Sequence, residues 1–405
     1  MATFSTLDDC DVQGKTVLVR VDFNAPIHPQ TKEITDDTRI RAHAPTLGEL
    51  AEHGGKVVVM AHQGRPGSSD FSTLQKHSVA LSQILGRPVR YVDDVYGERA
   101  LSAIKALHPG EILMLDNLRM CEDELAKGTV EEHARSEMVR TLASVADFYV
   151  NDGFAVAHRA QASIVGFPRL LPSMAGRVME KELTALNRVK TAEEKPCVYV
   201  LGGAKADDAA SVTEYVLGER TADAVLTGGV IGELFIHAQG IYLGDVVVKY
   251  LEGLDIFQFV PAIRKLFARF NGQILTPIDF GIDVNGECQI IGLDALPAAY
   301  PMFDIGPATV QRYAEVLKTA KTIVLSGPMG VYERPEFQAG THGVFNAVVD
   351  SDAFSVAGGG NTIEALEKLG LQDRISYVST GGGALMEFLT GKILPGVAAL
   401  ERSHG

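Results

Sequence analysis

"VAGGGNTIEALEKLG", residues 356–370, places a short apolar run, three glycines and an amphipathic helical stretch in direct succession. The same order recurs in "YVSTGGGALMEFL", residues 377–389. A strand that leads through glycines into a helix is typical of α/β proteins. The backbone N–H groups at the start of such a helix can also bind an anion. These two segments therefore predict an α/β fold with an anion-binding edge.

The rest of the chain repeats this alternation of short β-branched runs and helical patterns. Nearly continuous apolar strands between helices imply parallel sheets that are covered on both faces. The fold class we predict is α/β, with two doubly wound parallel-sheet (Rossmann-like) domains joined by a hinge helix. The predicted strands are 15–21, 56–61, 111–115, 147–151, 197–201, 223–227, 274–279, 322–326, 354–358 and 375–379, and the predicted helices include 72–85, 131–146, 207–218, 307–320 and 361–369.

The length of 405 residues favours two domains, and one segment suits the junction. In "PRLLPSMAGRVMEKELTAL", residues 168–186, two prolines and a glycine precede a long helical pattern. We therefore expect an N-terminal domain at 1–172 and a C-terminal domain at 173–392. The tail at 393–405 contains a Pro-Gly break and is expected to pack back on the N-terminal domain.

Composition excludes several classes of protein. The formal net charge of −14 argues against a partner nucleic acid or a polybasic membrane patch. No apolar run approaches the ~20 residues that span a bilayer, and the N-terminus lacks the pattern of a signal peptide. The four cysteines are far apart and without a metal-ligand spacing, which favours free thiols in the cytoplasm. We expect a monomer, with a homodimer left open.

Basic side chains are concentrated in the first half of the chain. Residues 1–178 hold 13 of the 21 arginines and 8 of the 11 histidines. Several follow predicted strands, and ligands of parallel sheets bind beyond the carboxyl ends of the strands. Each could equally be a surface or capping residue, but together they predict a convergent basic pocket. The candidates are Asp22, Asn24, His62, Arg65, Arg119, His158 and Arg159, with Arg39 at the start of the helix after the first strand.

The corresponding loops of the second half are rich in glycine instead. Glycine lets the backbone approach a ligand closely and point its N–H groups at an anion. Lys205 is the single cation among these loops. Tight strand-to-helix turns are the alternative for each loop, but five such loops favour a nucleotide site. They are "GGAKADD" (202–208), "TGGVIGE" (227–233), "SGPMGVYE" (326–333), "GGGNT" (358–362) and "TGGGA" (380–384).

Familiar nucleotide motifs do not account for this pattern. "GKT" at 14–16 lacks the earlier glycine of a P-loop and precedes a strand. No GxGxxG follows a predicted strand, which weakens the dinucleotide-dehydrogenase alternative. A nucleotide-dependent phosphotransferase of another lineage remains, and a non-catalytic nucleotide-binding protein is its main rival.

In order along the chain, the loops resemble the phosphoglycerate kinase family, and its archaeal-type branch most closely. The resemblance covers almost the whole chain. It is carried by "VLVRVDFNAP", "AHQGRPG", "NDGFAVAHRAQASIVGF", "LGGAKADD", "DIGPAT", "SGPMGVYE", "AGGGNT" and "STGGGALMEFLTGKILPGVAAL". It implies an N-terminal domain for 3-phosphoglycerate or 1,3-bisphosphoglycerate and a C-terminal domain for ADP or ATP with Mg²⁺. It further implies reversible in-line phosphoryl transfer after hinge-bending closure, in glycolysis or gluconeogenesis.

The resemblance also implies roles for individual residues. Arg39 and Lys205 would be catalytic. Substrate-binding residues would be Asp22, Phe23, Asn24, Arg39, His62, Gln63, Gly64, Arg65, Arg119 and Arg159. Nucleotide-binding residues would be Lys205, Glu333, Gly358, Gly359, Gly360 and Asn361.

Asn361 departs from the aspartate common in bacterial and eukaryotic members of the family. With Glu364 three residues later, Asn361 is expected to form a capping-box-like start of a helix. The neutral amide would leave Mg²⁺ to the nucleotide phosphates, with no direct protein ligand. Ala209 and Ser326 are further departures that bear on nucleotide affinity, and not on the reaction class.

Overall fold

A computed structural model describes residues 4–191 and 194–404 of the chain. The chain divides into two compact units. Unit 1 comprises Met1–Thr184 together with Ile393–Gly405, and unit 2 comprises Ala185–Lys392. Each unit is built around its own parallel sheet.

Unit 1 contains a six-stranded sheet in the order β3-β4-β2-β1-β5-β6, with every neighbouring pair parallel. Its strands are β1 (Thr16–Arg20), β2 (Lys56–Met60), β3 (Val89–Tyr91), β4 (Ile112–Met114), β5 (Phe148–Asn151) and β6 (Ser173–Ala175). Its helices are α1 (Thr38–Glu52), α2 (Gln75–Leu85), α3 (Glu98–Lys105), α4 (Glu122–Leu125), α5 (Val130–Arg135) and α6 (Glu137–Ala143), and α7 (Arg177–Thr191) crosses the division between the units.

Both faces of this sheet are buried, as the apolar strands predict. Along β1, Val17 and Val19 belong to one hydrophobic cluster, and Leu18 belongs to another. Successive side chains of a strand point to opposite faces, so each face has its own core. Burial on both faces explains why the three central residues of the strand are apolar and the polar ones, Thr16 and Arg20, lie at its two ends.

The division between the units falls inside α7, at 184/185, whereas the sequence places the boundary at 172/173. Ser173–Ala175 form β6, which pairs with β5 through Tyr149↔Ser173. Arg177 then fastens the first turn of α7 to unit 1 through ion pairs with Asp8 (2.6 Å) and Glu49 (2.5 Å). These contacts hold the start of the helix with unit 1.

Unit 2 contains a second six-stranded parallel sheet, in the order β15-β14-β13-β7-β8-β9. Its strands, with three that belong to a smaller sheet, are β7 (Cys197–Leu201), β8 (Ala224–Thr227), β9 (Ile274–Leu275), β10 (Asp279–Val284), β11 (Glu287–Gly292), β12 (Met302–Ile305), β13 (Thr322–Ser326), β14 (Phe354–Ala357) and β15 (Tyr377–Val378). Its helices are α8 (Ala206–Gly218), α9 (Gly229–Ala238), α10 (Asp245–Gly253), α11 (Val260–Arg269), α12 (Pro307–Thr319), α13 (Ala339–Val349), α14 (Gly360–Lys368) and α15 (Gly382–Leu389). The final helix, α16 (Pro395–His404), belongs to unit 1.

The smaller sheet of unit 2 is antiparallel, in the order β11-β10-β12, and the sequence analysis did not predict it. Its hairpin turns at Asn285 and Gly286, both of which have positive φ. Of the strand predicted at 274–279, Ile274–Leu275 form β9 and Asp279 begins β10 of the smaller sheet, whereas residues 276–278 belong to no strand. The predicted class, two parallel-sheet α/β domains, is confirmed.

The topology determines where ligands can bind. β1 lies between β2 and β5, and β7 lies between β13 and β8, so the loops after these central strands diverge at one edge of each sheet.

Within residues 4–191 and 194–404, no helix combines the length and apolar character needed to cross a bilayer.

Candidate active site

The loop after β1 connects several of the residues predicted to bind substrate. Asp22 is buried and forms an ion pair with Arg39 at the start of α1. Asn24 accepts a hydrogen bond from the backbone N–H of Gly64 (2.8 Å), in the loop after β2. Asp22 Oδ1 lies 3.9 Å from His62 Nδ1. The loops after β1 and β2 are thus held together by the polar side chains that the sequence singles out.

Cationic groups converge around His62, which is itself buried. Burial lowers the pKa of His62 well below its ordinary value, and the nearby charges of Arg20, Arg119, Arg159 and Arg39 lower it further. The imidazole is therefore neutral at pH 7. Because its Nδ1 lies 3.2 Å from Arg20 Nη2, and a guanidinium only donates, Nδ1 accepts and the ring proton is on Nε2. His62 can then donate from Nε2 to an anionic ligand.

The arginines of this cluster also affect one another. Burial, followed by the charges of Arg159 and Arg20, lowers the pKa of Arg119 to about 10. Burial likewise lowers the pKa of Arg159, an effect that Asp22 opposes and Arg65 reinforces. Both guanidinium groups remain charged at pH 7, at a cost that a bound anion would relieve. The cluster is suited to a ligand with several negative charges.

Arg20 belongs to this cluster, and sequence reasoning missed it. It is fully buried, donates from Nε to Ser163 Oγ (2.8 Å) and lies 3.7 Å from Glu124. Ser163 in turn donates to Glu124 Oε1 (2.7 Å). A charged residue at the end of an otherwise apolar strand was the available signal. Arg20 thus donates to His62 Nδ1, and Glu124 neutralises the charge of Arg20.

Three of the predicted substrate residues have their side chains or backbone engaged within the protein. Phe23 is fully buried in the core cluster on one face of the sheet. The Gln63 side chain exchanges two hydrogen bonds with the backbone of Ala25 (both 3.0 Å). Gly64 donates its N–H to Asn24, and its carbonyl accepts from Arg119. These contacts hold the loops in position. The side chains of Phe23 and Gln63 are engaged within the protein, and Gly64 has no side chain that could contact a ligand.

In unit 2, the glycine-rich loops line a cavity of about 160 Å³. Lys205, at the N-terminus of α8, is exposed and is the only cation among the described residues that line it. Asp208, which the sequence analysis left without a role, also lines this cavity; burial and then Asp207 raise its pKa. The lining comprises Leu201, Gly202, Gly203, Ala204, Lys205, Asp208, Ala209, Ile231, Ser326, Gly327, Pro328, Gly359, Gly360, Asn361, Thr362, Gly382 and Met386.

The two glycine triplets pack against each other at this cavity. A Cβ on Gly382 would lie 3.7 Å from the Cα of Gly359. Gly359 and Gly360 line the cavity, and Gly359 has a φ of +97°, which glycine adopts without strain. Gly358 has another role, because a Cβ there would lie 2.1 Å from Leu385 Cδ2. Gly358 allows the close packing of α15, while the next two glycines form the cavity wall.

The capping role predicted for Asn361 is wrong. Helix α14 begins at Gly360 with Gly359 as its N-cap, and no side chain caps it. Glu364 pairs instead with Lys368 (2.9 Å). With Gly359 as N-cap at positive φ, the helix starts two residues earlier than an Asn cap at 361 requires. Asn361 is exposed and lines the cavity, which leaves its amide available to a ligand.

A second cavity, of about 260 Å³, adjoins the first. The two share Gly203, Ala204, Pro328 and Asn361 in their walls. Much of its lining is apolar, and three acids, Glu233, Asp304 and Glu333, are exceptions. The apolar members of the wall are Val230, Phe280, Met302, Phe303, Ile305, Met329 and Val331.

Together the two parts of this region suit an elongated ligand with an anionic end and a flat apolar end. Backbone amides and one lysine lie at the first cavity, and apolar side chains lie at the second. Among the described residues, no group of three or more His, Cys, Asp or Glu is arranged to hold a metal ion. A cation could still be held by a ligand's phosphates, with Asp208 nearby.

Comparisons with known proteins agree with this picture. The family model described as phosphoglycerate kinase matches residues 7–392. A phosphoglycerate kinase of Pyrococcus furiosus is 46% identical over 402 residues, covering 98% of this chain and 97% of that protein. One of Methanothermus fervidus is 43% identical over 404 residues, covering 100% and 98%. The crystal structure of phosphoglycerate kinase from Pyrococcus horikoshii matches with a TM-score of 0.90 and 41% identity, covering 98% of this chain and 99% of that one.

Proposed function

The chain belongs to the phosphoglycerate kinase family, and on that premise we propose how its two sites carry out the reaction. Its activity is that of a phosphotransferase, a phosphoglycerate kinase. We assign it the reversible transfer of the acyl phosphate of 1,3-bisphosphoglycerate to ADP, which yields 3-phosphoglycerate and ATP. This assignment includes a place in glycolysis and, in reverse, in gluconeogenesis. The cytoplasm is the proposed location, which four free thiols favour.

The unequal distribution of charge between the units carries the assignment of substrates to sites. Four arginines lie near His62 in unit 1, and Arg65 adds a fifth charge near Arg119 and Arg159. By contrast, Lys205 is the only cation among the described lining of the unit 2 cavity. Phosphoglycerate, with a phosphate at one end and a carboxylate at the other, suits the first arrangement. A nucleotide suits the second, because its phosphates can accept from backbone amides and its base can enter the apolar cavity.

On the phosphoglycerate side, we assign the non-transferred phosphate to His62, Arg65, Arg119 and Arg159. His62 donates from Nε2, and the guanidinium groups donate in pairs. Asp22 holds Arg39 in place by their ion pair, which leaves the other Arg39 donors for the carboxyl end of the substrate. Asn24, close to Asp22, joins it in holding the glycerate.

On the nucleotide side, Lys205 neutralises the transferring phosphoryl group, and the amides of Gly359, Gly360 and Asn361 receive the other phosphates. Glu333, in the second cavity, accepts from the ribose hydroxyls. Mg²⁺ would enter with the nucleotide and supply charge neutralisation on the phosphate oxygens. The donors present fit an ion held mainly by phosphates, since Asp208 is the one carboxylate in the described wall of the first cavity.

The chemistry requires positioning rather than a general base. Both the acyl phosphate and ADP present oxygens that are already ionised at neutral pH. The enzyme must align them and stabilise the charge that spreads over the equatorial oxygens. Arg39 and Lys205 are the two cations we assign to that task. Both residues lie at helix N-termini, Arg39 in the first turn of α1 and Lys205 at the N-cap of α8, and the helix dipoles add to the positive potential there.

The substrates are assigned to different units, so transfer requires the units to approach each other and exclude water. We propose α7 as the hinge, because it crosses the division between units. Small-angle scattering should report a smaller radius of gyration when 3-phosphoglycerate and an ATP analogue are present together. Identical profiles with and without both ligands would contradict closure.

Calorimetric titration tests the assignment of substrates to sites. Arg119→Ala should weaken 3-phosphoglycerate binding by roughly ten- to hundredfold, the usual cost of a lost charged hydrogen bond, and leave ADP binding unchanged. Lys205→Ala should weaken the binding of ATP, which carries the phosphoryl group assigned to Lys205, and leave 3-phosphoglycerate binding unchanged. Arg99→Ala is the matched control, because Arg99 is exposed and pairs with Asp93 on the surface (2.8 Å). If both site variants weakened the binding of the same ligand, the assignment would be contradicted.

A further inference from the structure

The cavity that contains Glu333 also contains a buried acid that the proposed reaction does not use. Glu233, in the second turn of α9, is only 5% exposed. Its Oε2 has no hydrogen-bond partner among the described residues. An unsatisfied buried polar atom costs about 1–3 kcal/mol, so its presence in a cavity wall needs a reason.

A second acid in the same wall provides a comparison. Asp304 accepts hydrogen bonds from the backbone N–H groups of Gly340 (2.6 Å) and Ile305 (2.9 Å). Its carboxylate is therefore used in holding α13 and β12. Glu233 is different, because the protein itself leaves its carboxyl available at the cavity.

The position of this cavity indicates which part of a nucleotide reaches Glu233. It shares Gly203, Ala204 and Pro328 with the cavity of Lys205. A nucleotide with its phosphates at Lys205 therefore extends its base toward the second cavity. The walls there are side chains such as Phe280 and Met302, which suit a flat ring and provide few polar contacts.

We propose that Glu233 recognises the base: its carboxyl accepts a hydrogen bond from the 6-amino group of adenine and gives the site its preference for adenine nucleotides. This inference rests on the proposed function, because it requires the nucleotide to bind in unit 2. Glu233 is thus a specificity-determining residue, remote from the phosphoryl group that is transferred.

The protonation state of the acid agrees with this partner. Burial raises the pKa of Glu233 from 4.5 to about 8, so the carboxyl is neutral at pH 7. A neutral carboxyl offers one acceptor beside one donor. Adenine presents an amino donor beside a ring-nitrogen acceptor, which is the complementary pair. The ring N–H and 2-amino group of guanine are two adjacent donors and would suit a carboxylate instead.

The test compares ATP with purine riboside triphosphate, which has hydrogen in place of the 6-amino group. The wild-type enzyme should prefer ATP in kcat/KM by roughly tenfold, the factor that ~1.4 kcal/mol represents. Glu233→Leu should reduce that preference to within about twofold. Glu233→Gln retains an acceptor beside a donor and should keep it. Asp304→Asn, at the acid already used by the backbone, is the control and should also keep the preference.

Each preference is a ratio measured on one protein, so differences in folding or yield between variants cancel. Equal use of the two nucleotides by the wild type, or an unchanged preference in Glu233→Leu, would overturn the inference while phosphoglycerate kinase activity stands. Calorimetry with ADP and purine riboside diphosphate gives the same comparison without turnover. If the wild-type protein bound ADP more tightly than purine riboside diphosphate but had no kinase activity, the proposed function would be refuted and the role of Glu233 would not.

Discussion

Glu124→Gln tests how unit 1 maintains a buried cation behind its substrate site. Arg20 and Glu124 have fully buried side chains 3.7 Å apart, and Ser163 lies between them as acceptor from one and donor to the other. The glutamine keeps the size of the side chain and its acceptor for the N–H of Ser163 (2.9 Å in the wild type). It removes the negative charge, so Arg20 is left as a buried cation without a counterion.

The expected cost follows from the geometry of that pair. Two unit charges 3.7 Å apart interact by about 4.5 kcal/mol at an effective dielectric constant of about 20. Removal of one partner from a buried ion pair costs about 3–5 kcal/mol, which agrees. We therefore expect Glu124→Gln to lower the free energy of unfolding by about 3–5 kcal/mol. Ser163→Ala removes hydrogen bonds but no charge and should cost about 1–2 kcal/mol.

Urea denaturation followed by circular dichroism measures both values. The double variant Arg20→Met/Glu124→Leu removes both charges and should recover most of the lost stability. It should still bind 3-phosphoglycerate more weakly, because His62 Nδ1 loses its donor. A Glu124→Gln enzyme within about 1 kcal/mol of wild type, or a Ser163→Ala enzyme equally destabilised, would refute this reasoning.

Three further predictions concern catalysis, packing and pH. Arg39→Ala should lower kcat by ~10²–10³ in steady-state assays, and a rate within threefold of wild type would rule out a catalytic role. Gly358→Ala should lower the stability measured by thermal unfolding by about 1–3 kcal/mol, because the added Cβ would meet Leu385. Gly360→Ala should cost little, because a Cβ there meets nothing within 4 Å. Equal effects of the two substitutions would contradict this packing. Burial raises the pKa of Glu233 above its unfolded value, so the acid's contribution to stability is complete below about pH 4.5 and is lost as pH rises toward 8. Urea titrations should therefore show that the free energy of unfolding of Glu233→Gln rises relative to that of the wild type between pH 5 and 8. The expected rise is about 1.4 kcal/mol per pH unit, a few kcal/mol in all. The same pH dependence of stability in both proteins would contradict this expectation.

The long parallel strands were predictable because burial on both faces leaves a direct trace in the sequence. Residues 17–19 of β1 and the whole of β7 are continuous apolar runs, and both strands lie at the centre of their sheets. β6 could not be found in this way, because Ser173–Ala175 has three residues and no β-branched side chain. Its strand conformation depends on pairing with β5, which is a tertiary contact.

The antiparallel hairpin of unit 2 does have a signal in the sequence. Asn285-Gly286 is a favoured two-residue turn between strands, and both residues have positive φ in the structure. The preceding "DFG" at 279–281 belongs to β10. β10 also alternates in polarity, with Phe280, Ile282 and Val284 apolar. β11 gives the weaker pattern, because Ile290 and Ile291 are adjacent in the chain and no residue of this strand is buried.

Candidate site residues were predictable where a polar group follows a buried strand, as for Asp22 and His62. Roles that depend on distant partners were not. Arg20 is explained by Glu124, more than a hundred residues later in the chain, and no local pattern predicts that pair. The start of α14 depends on the positive φ of Gly359, which an Asn-x-x-Glu pattern does not reveal.

The most direct test of the central claim is a coupled assay of the purified protein with ATP, Mg²⁺ and 3-phosphoglycerate. Glyceraldehyde-3-phosphate dehydrogenase, added in excess, converts the 1,3-bisphosphoglycerate formed and oxidises NADH. We predict NADH oxidation that requires both ATP and 3-phosphoglycerate. Thermal stabilisation by ATP without any NADH oxidation would identify a binding protein instead and contradict the account.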